Sequence, residues 1–375
     1  MKTNNHILLL SLQTFSNHGG VAQVSKNLCS TLSAICKDQH KELKCLSLYD
    51  GLPDEKYIQP ARFKGFKHCR IKFLAQVLND QRKATTIVLT HVNLLPIAWI
   101  IRKLNRKVSF ILIAHGVEIW RELSGWEKRF LKEEATIWAV SAFTKSVIEK
   151  IQDLPPDRIQ VLHNSLDPHF RIPSSLIKPV YLLKRYGLRN QKILLSITRM
   201  SCHDRLKGYD RVITAMPYLI SKQPELHYLL CGSQDKEEKA RLQRLITELN
   251  MGKHISLIDY LPAKELTDHY LLGDTFVLPS TKEGFGIAFI EAASCGCYLI
   301  SGDQDGSRAA LLNGRLGSMI DPHNRQALQK SILKSLHPKL RENAKTRQAL
   351  CIAHFSADEY QRRILQLLKS TAAFQ

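Results

Sequence analysis

Residues 279–302 read PSTKEGFGIAFIEAASCGCYLISG, and the fold is decided here. The apolar run 275–278 closes on Pro279 and Ser280, and a loop follows in which Glu283 stands beside Gly284 and Gly286. From Ile287 the helical period takes over, with Ile290 and Glu291 on neighbouring turns and the small residues Ala292, Ala293 and Ser294 after them. Gly296 ends that helix, and 298–300 reads as the next strand. Strand, Gly-rich loop, helix, strand is the unit from which parallel α/β sheets are built. Backbone amides at a helix start, beside glycines that admit close approach, make a natural anion site.

Upstream the same alternation predicts strands 193–197, 228–231 and 255–258, with helices over 209–219, 236–249 and 265–271. An earlier series begins at HILLLSL (6–12), followed by SNHGG, where Gly19 and Gly20 open a helix carrying Val21, Val24, Leu28 and Leu32. Strand, glycine turn, helix suits the approach of a phosphate or sugar, and equally a plain turn. Strands 44–49, 87–89, 108–114, 137–140 and 158–162 follow. The third of these ends in HGVEIW, which puts His115 at a strand's carboxyl end, where open α/β sheets gather ligand groups. A lone histidine there is also a common structural residue. Residues 167–188 are irregular and contain Pro168, Pro173 and Pro179. Ser356 and Glu359 form a capping box that opens a last helix, with Ile364, Leu365 and Leu368 facing inward.

With 375 residues, the chain exceeds what one core usually supports. The expected division is a first domain over 1–172, a linker over 173–185, a second domain over 186–350 and a final helix over 351–375. Lys and Arg number 54 against 34 Asp and Glu, a net charge of +20, which implies an anionic partner: nucleic acid, an acidic membrane or phosphorylated substrates. The stretch 61–80 places Phe63, Phe66, Phe73, Leu74, Val77 and Leu78 near helical spacing among Arg62, Lys64, Lys67, Arg70 and Lys72. This basic amphipathic pattern fits either an anionic membrane surface or a helix packed on the sheet with a solvated basic face. The apolar core of the N-terminal segment is too short for a secretory signal, and 87–101 contains His91, Asn93 and Pro96 and is too short to span a bilayer. Nine cysteines without a CxxC pair read as reduced thiols of a cytosolic protein, and Cys295-Gly296-Cys297 lacks a second ligand pair for a metal.

Glu283 and Glu291, as Glu-x7-Glu preceded by PS and followed by EAxxxG, resemble the signature of retaining glycosyltransferases of family 4 (glycosyl transferases group 1). The resemblance implies the GT-B fold: two Rossmann-like, doubly wound parallel-sheet domains facing across a cleft. The first would bind the acceptor and the second the nucleotide sugar, with the last helix crossing back to the first domain. Breaking the sugar–phosphate bond leaves a diphosphate whose charge must be met by cations or helix starts. Arg199, with Lys207 beside Gly208 eight residues on, matches the family's phosphate-binding pair, although a solvated basic loop is natural in so basic a chain. By the same carry-over Glu283 holds sugar hydroxyls near the anomeric carbon. The backbone of Gly284, Phe285, Gly286 and Ile287 meets the phosphates, and Glu291 accepts from the ribose hydroxyls. Gly19 and Gly20 line the floor beneath the donor, His115 approaches the transferred sugar, Gly232 sits by the nucleotide, and Tyr260 and Leu261 lie beside the base. The catalytic set implied is Glu283, His115, Arg199 and Lys207. Ser165, Asp259 and Tyr298 depart from the pattern.

The expected function is transfer of a hexose from a UDP-, GDP- or ADP-sugar to a saccharide or lipid-linked saccharide acceptor, with retention and without a metal or other cofactor. The implied pathway is bacterial surface polysaccharide synthesis (exopolysaccharide, capsule or lipopolysaccharide), in the cytoplasm or at the inner face of its membrane. Asp303-Gln304-Asp305 has the look of a metal-binding Asp-x-Asp, but its position predicts a loop at the cleft edge. A nucleotide-sugar epimerase or hydrolase would need a further acid/base set. A basic nucleic-acid-binding protein would need interleaved stacking aromatics, and aromatics are only 7%. A degenerate, non-catalytic sugar-nucleotide binder would be expected to lack the Glu283, Glu291, Arg199 and Lys207 set.

Overall fold

The computed structural model describes residues 6–16, 19–202 and 205–370. Residues 17–18 of the first glycine turn and 203–204 of the run between Arg199 and Lys207 lie outside the described residues. The chain packs as two units, one up to His169 together with the segment from Phe355, the other Phe170–His354.

In the first unit β1 (His6–Ser11), α1 (Gly20–Asp38), β2 (Glu42–Ser47), β3 (Phe63–Gly65), α2 (Arg70–Asp80), β4 (Ala84–Leu89), α3 (Leu95–Leu104), β5 (Ser109–Ala114), α4 (Gly125–Glu134), β6 (Ala135–Ala139), α5 (Ala142–Gln152) and β7 (Ile159–Val161) follow one another. The strands form a parallel sheet in the order β3-β2-β1-β4-β5-β6-β7. Every residue of β1 is buried, so the strand reads as an unbroken apolar run rather than an alternation. Leu8, Leu10, Ile87, Leu112 and Ile137 carry the core between sheet and helices. From β1 the chain first winds to one side and later returns at β4 on the other, a switch point between β1 and β4. The right-handed sense of parallel crossovers puts α2, α3, α4 and α5 on one face and α1 on the other. Asn105 Nδ2 bonded to the Gln81 carbonyl (3.1 Å) and Arg102 paired with Glu134 (2.8 Å) tie α2, α3 and α4 side by side.

The second unit contains α6 (Val180–Arg185), β8 (Lys192–Ile197), α7 (Tyr209–Lys222), β9 (Leu226–Cys231), α8 (Lys236–Glu248), β10 (Ile255–Ile258), α9 (Leu266–Leu272), β11 (Thr275–Leu278), α10 (Ile287–Ser294), β12 (Tyr298–Gly302), α11 (Ser307–Ala310), β13 (Gly317–Ile320), α12 (Arg325–Ser335), α13 (Pro338–Glu342) and α14 (Ala344–Phe355). Its sheet is parallel in the order β10-β9-β8-β11-β12-β13, so its switch point lies between β8 and β11. Leu194, Tyr228, Val277 and Ile300 centre the core. The last helix, α15 (Ala357–Ser370), packs on α1 in the first unit. Ser356 Oγ accepts the Glu359 amide at its start, and Tyr360, Ile364 and Leu368 are buried, while Leu365 is only half-buried.

The α/β reading holds, with two Rossmann-like parallel sheets, but two local expectations change and one strand went unread. The basic helix over 61–80 is a short strand followed by a shorter helix. Phe63 pairs in register with Cys45, and Lys67 and His68 take positive φ (46° and 69°), which no helix accepts. The segment 173–185 lies inside the second unit and includes α6, tied down by Arg185 to Glu265 (2.7 Å) and Tyr181 to Asp268 (2.8 Å). Strand β13 has only four residues and begins with glycine, too weak a pattern to find by periodicity.

Candidate active site

The loops that follow β8 and β11 flank the switch point of the second sheet. The first carries Arg199, two residues past β8, and Lys207, the last residue of a 3-10 turn over Arg205–Lys207. Gly208 then caps α7 at φ 77°, and a Cβ there would lie 2.2 Å from the Pro279 carbonyl oxygen, so only glycine lets the two loops touch. Thr281 N–H closes the contact on the Leu206 carbonyl (2.9 Å). Lys207 Nζ meets the Glu283 carboxylate in a direct ion pair, each side chain about four-fifths buried. A cation and a carboxylate 76 residues apart in sequence thus share the mouth of the switch point. Beside them α10 starts at Ile287 with Gly286 as its N-cap, and the first-turn amides of a helix have no carbonyl acceptors within it.

Asp305 holds this loop in place. It is fully buried, and its carboxylate accepts from Ser280 Oγ (2.7 Å), Glu283 N (2.9 Å), Ser307 N (3.0 Å) and Ser307 Oγ (2.5 Å). Burial pushes its carboxyl above the ordinary value, and the Ser307 and Ser280 hydroxyls pull it back. Gly306 N–H donates to the Glu283 carbonyl (2.7 Å), and a Cβ on Gly306 would sit 2.0 Å from the Gly284 oxygen. The Asp-x-Asp expected as a cleft-edge loop is therefore an internal fastening: Asp305 is turned inward beneath Glu283. Among the described residues no group of three or more His, Cys, Asp or Glu is arranged to hold a metal ion.

Glu291 lies on the second turn of α10 and accepts from the Tyr270 hydroxyl of α9 (2.7 Å). Burial, then the Glu291 charge, push the Tyr270 hydroxyl well above its ordinary value, so it stays a donor to the carboxylate. Phe285 is buried, and Gly284, Gly286 and Ile287 are half-buried. Gly232 follows β9 with its N–H on the Ile258 carbonyl (3.0 Å). Tyr260 and Leu261 follow β10, two strands away from β8, and Tyr260 is 59% exposed. Asp259 before them is paired with Lys239 (2.9 Å), and Tyr298 shares a hydrogen bond with Ser318 (2.7 Å), so both departures from the family pattern are absorbed locally.

In the first unit Gly19 caps α1 and Gly20 begins it; a Cβ on either would meet no described atom within 4 Å. The loop leading to them is fastened by Asp50, fully buried, which accepts from Thr14 N (2.6 Å), Phe15 N (3.1 Å), Ser16 N (2.7 Å) and Ser47 Oγ (2.6 Å). His115 follows β5. Its Nε2 lies 2.8 Å from the Thr90 carbonyl, which can only accept, so that nitrogen carries a proton. The Glu118 carboxylate receives the amides of His115 (2.6 Å) and Gly116 (3.2 Å) and shapes the turn. Nearby His91 Nδ1 accepts the Asn93 amide (3.1 Å), and burial lowers its pKa, which keeps it neutral. Ser165, where the family pattern has glycine, is buried and accepts from Asn27 Nδ2 (3.1 Å).

The structure thus brings Lys207, Glu283 and the start of α10 together in the second unit, with Glu291 one helical turn further on. Gly19, Gly20 and His115 belong to the first unit. Asp50 and Tyr270 escaped the sequence reading, and so did the fastening role of Asp305, which that reading places in an Asp-x-Asp at the cleft edge. Each aspartate stands in an Asp-Gly dipeptide just past a strand, which reads as an ordinary turn, and Tyr270 reads as one more core position of its helix.

Residues 184–350 match the family model described as glycosyl transferases group 1. Among curated relatives, the GDP-mannose-dependent alpha-(1-6)-phosphatidylinositol monomannoside mannosyltransferase of Mycolicibacterium smegmatis is 27% identical over 187 residues, 48% of this chain. The chain spans about half of that relative's length (47%). The alpha-maltose-1-phosphate synthase of the same organism is 22% identical over 321 residues, covering 78% of this chain and 81% of the relative. Among solved structures, Anabaena HepE in complex with UDP and glucose superposes with a TM-score of 0.73 at 16% identity, over 98% of this chain and all of that one. That likeness shows the fold, two Rossmann-like units of the GT-B kind.

Proposed function

We propose that the protein transfers a hexose from a nucleoside-diphosphate sugar to a saccharide or lipid-linked saccharide, with retention of configuration and without a metal. The observation that carries this reading is the Lys207–Glu283 pair at the switch point beside the start of α10. Lys207 would give up Glu283 to the donor's diphosphate as a point charge, joined by the helix amides and Arg199. Glu283, released, would accept from sugar hydroxyls next to the bond that breaks. Glu291, held by Tyr270, would take the ribose hydroxyls. Gly19, Gly20 and His115 would serve from the first unit. The solved neighbour that binds UDP and the relative that uses GDP-mannose support a nucleotide-sugar donor without choosing its base. The relative's glycolipid acceptor supports a lipid-linked one here, within surface polysaccharide assembly at the inner face of a membrane, with the basic helix α2 toward the lipid.

The test is a thermal-shift panel of UDP-, GDP- and ADP-sugars, with and without EDTA, on the wild type and Lys207→Ala. Stabilisation by one donor, insensitive to EDTA and lost in the variant, supports the reading and names the base. No shift with any donor, together with a salt-sensitive shift on adding DNA or RNA, overturns it.

A further inference from the structure

Trp99 and Trp126 lie on neighbouring helices α3 and α4 of the first unit, 46% and 42% exposed, with ring centroids 6.5 Å apart and nearly edge to face. Two large aromatic rings left in water side by side are unusual in a chain that buries Trp138 completely. Leu104, 62% exposed, ends α3, and Ile71, 83% exposed, stands at the start of α2 on the same face of the sheet. Lys103 sits over the Trp99 ring at 5.3 Å, and Arg106, Lys107, Arg129 and Lys132 are exposed on the turn after α3 and on α4. The exposed acid among them, Glu133, is already paired with Arg129 (3.0 Å).

We infer that this α3–α4 face docks on an anionic lipid bilayer, with Trp99 and Trp126 as the interfacial anchors. Indole rings prefer the headgroup boundary, where the ring is half in hydrocarbon and the N–H stays wet, and each nearby cation gains from a negative leaflet. A second copy of this chain fits less well, because a two-fold contact would press like-charged rims together. The inference deepens the lipid-face part of the function proposed above and rests on it only for the acceptor's location. The patch itself belongs to the first unit alone.

Vesicle co-sedimentation tests it, with phosphatidylcholine alone against phosphatidylcholine containing about 30% phosphatidylglycerol. Wild type should bind the anionic vesicles, more weakly at high salt, and should bind the neutral ones poorly. Trp99→Ala with Trp126→Ala should lose about tenfold or more in apparent affinity, and Lys103→Glu with Lys107→Glu a similar amount without touching the core. Brominated lipids should quench wild-type tryptophan emission, and most of that quenching should be lost in the Trp double variant, where half-buried Trp120 and buried Trp138 remain. Donor-induced thermal shifts on all variants separate the two ideas, since lost lipid binding with intact donor shifts touches only the docking face. Unchanged anionic-vesicle binding in both double variants overturns the inference. So does equal binding to neutral vesicles, or a concentration-dependent dimer that the Trp substitutions abolish.

Discussion

Replacing Asp305 tests whether the Glu283 loop is positioned from beneath. Asp305→Ala removes an acceptor that takes two backbone amides and two hydroxyls, and leaves those donors buried. Hydrogen bonds to a charged group contribute about 1.5–3 kcal/mol each, and because the four share one carboxylate the sum is far from additive, so a loss of about 3–5 kcal/mol is expected. Asp305→Asn keeps the shape but must turn an NH2 toward at least one of the two amides, at a cost of about 1–3 kcal/mol. Urea unfolding reads both, with the midpoint falling and the slope unchanged. If Asp305 also places Glu283, then Asp305→Asn weakens donor binding and transfer by about tenfold or more in kcat/KM, although its side chain lies beneath the loop. A cycle with Glu283→Gln should then show coupling of about 1 kcal/mol or more, since the second substitution removes what the first displaces. The reasoning is refuted by an Asp305→Ala protein as stable as wild type, or by an Asp305→Asn protein that is less stable yet binds donor normally with no coupling to Glu283.

Asp50→Ala should cost a similar 3–5 kcal/mol, about the same four-bond loss, and hydrogen exchange should show the amides of residues 14–16 losing protection together. Tyr270→Phe keeps the ring in the core and removes one donor to Glu291; about 1 kcal/mol of stability and a 3–10-fold loss of donor affinity are expected, measured by calorimetry. His227, buried against Ser256, has its pKa lowered from 6.5 to about 4, chiefly by burial and further by His254. Between those values the unfolded chain binds the proton that the folded one refuses, so stability rises with pH there and is lost as pH falls from 6.5 toward 4. The loss is bounded at about 3 kcal/mol. His227→Gln should flatten that part of the stability–pH curve, and an unaltered slope would show that the proton is taken up elsewhere.

The fold was legible wherever burial on both sides turned strands into unbroken apolar runs, as in HILLLS for β1 and SFILIA for β5. The Glu283 and Lys207 loops were legible as separate motifs, each following a strand, but not as partners. Sequence patterns report local periodicity, whereas this ion pair exists because β8 and β11 are neighbours in a sheet whose order departs from chain order. The error at 61–80 has the same root. A register contact between Phe63 and Cys45 outweighs a helical pattern that is sound in itself.

The two hidden aspartates obey a rule that the sequence does contain. Asp50 stands three residues past the end of β2 and Asp305 three past the end of β12, and each is followed by glycine. β2 follows β1 and α1, and β12 follows β11 and α10, so each aspartate ends the second strand of a βαβ unit and fastens the loop that left the first strand. The geometry explains the choice of residue. That loop climbs out of the sheet, and its amides at residues 14–16 and at Glu283 point at the neighbouring strand end, where the aspartate carboxylate accepts them. A short carboxylate from the adjacent strand end can accept several at once, and the glycine after it lets the backbone turn away beneath the loop. An aspartate read as turn polarity on its own becomes a prediction of a fastened loop once the strand before it is paired with the strand that the loop leaves. Among the described residues the loops that carry Gly19 and Glu283 are both fastened in this way.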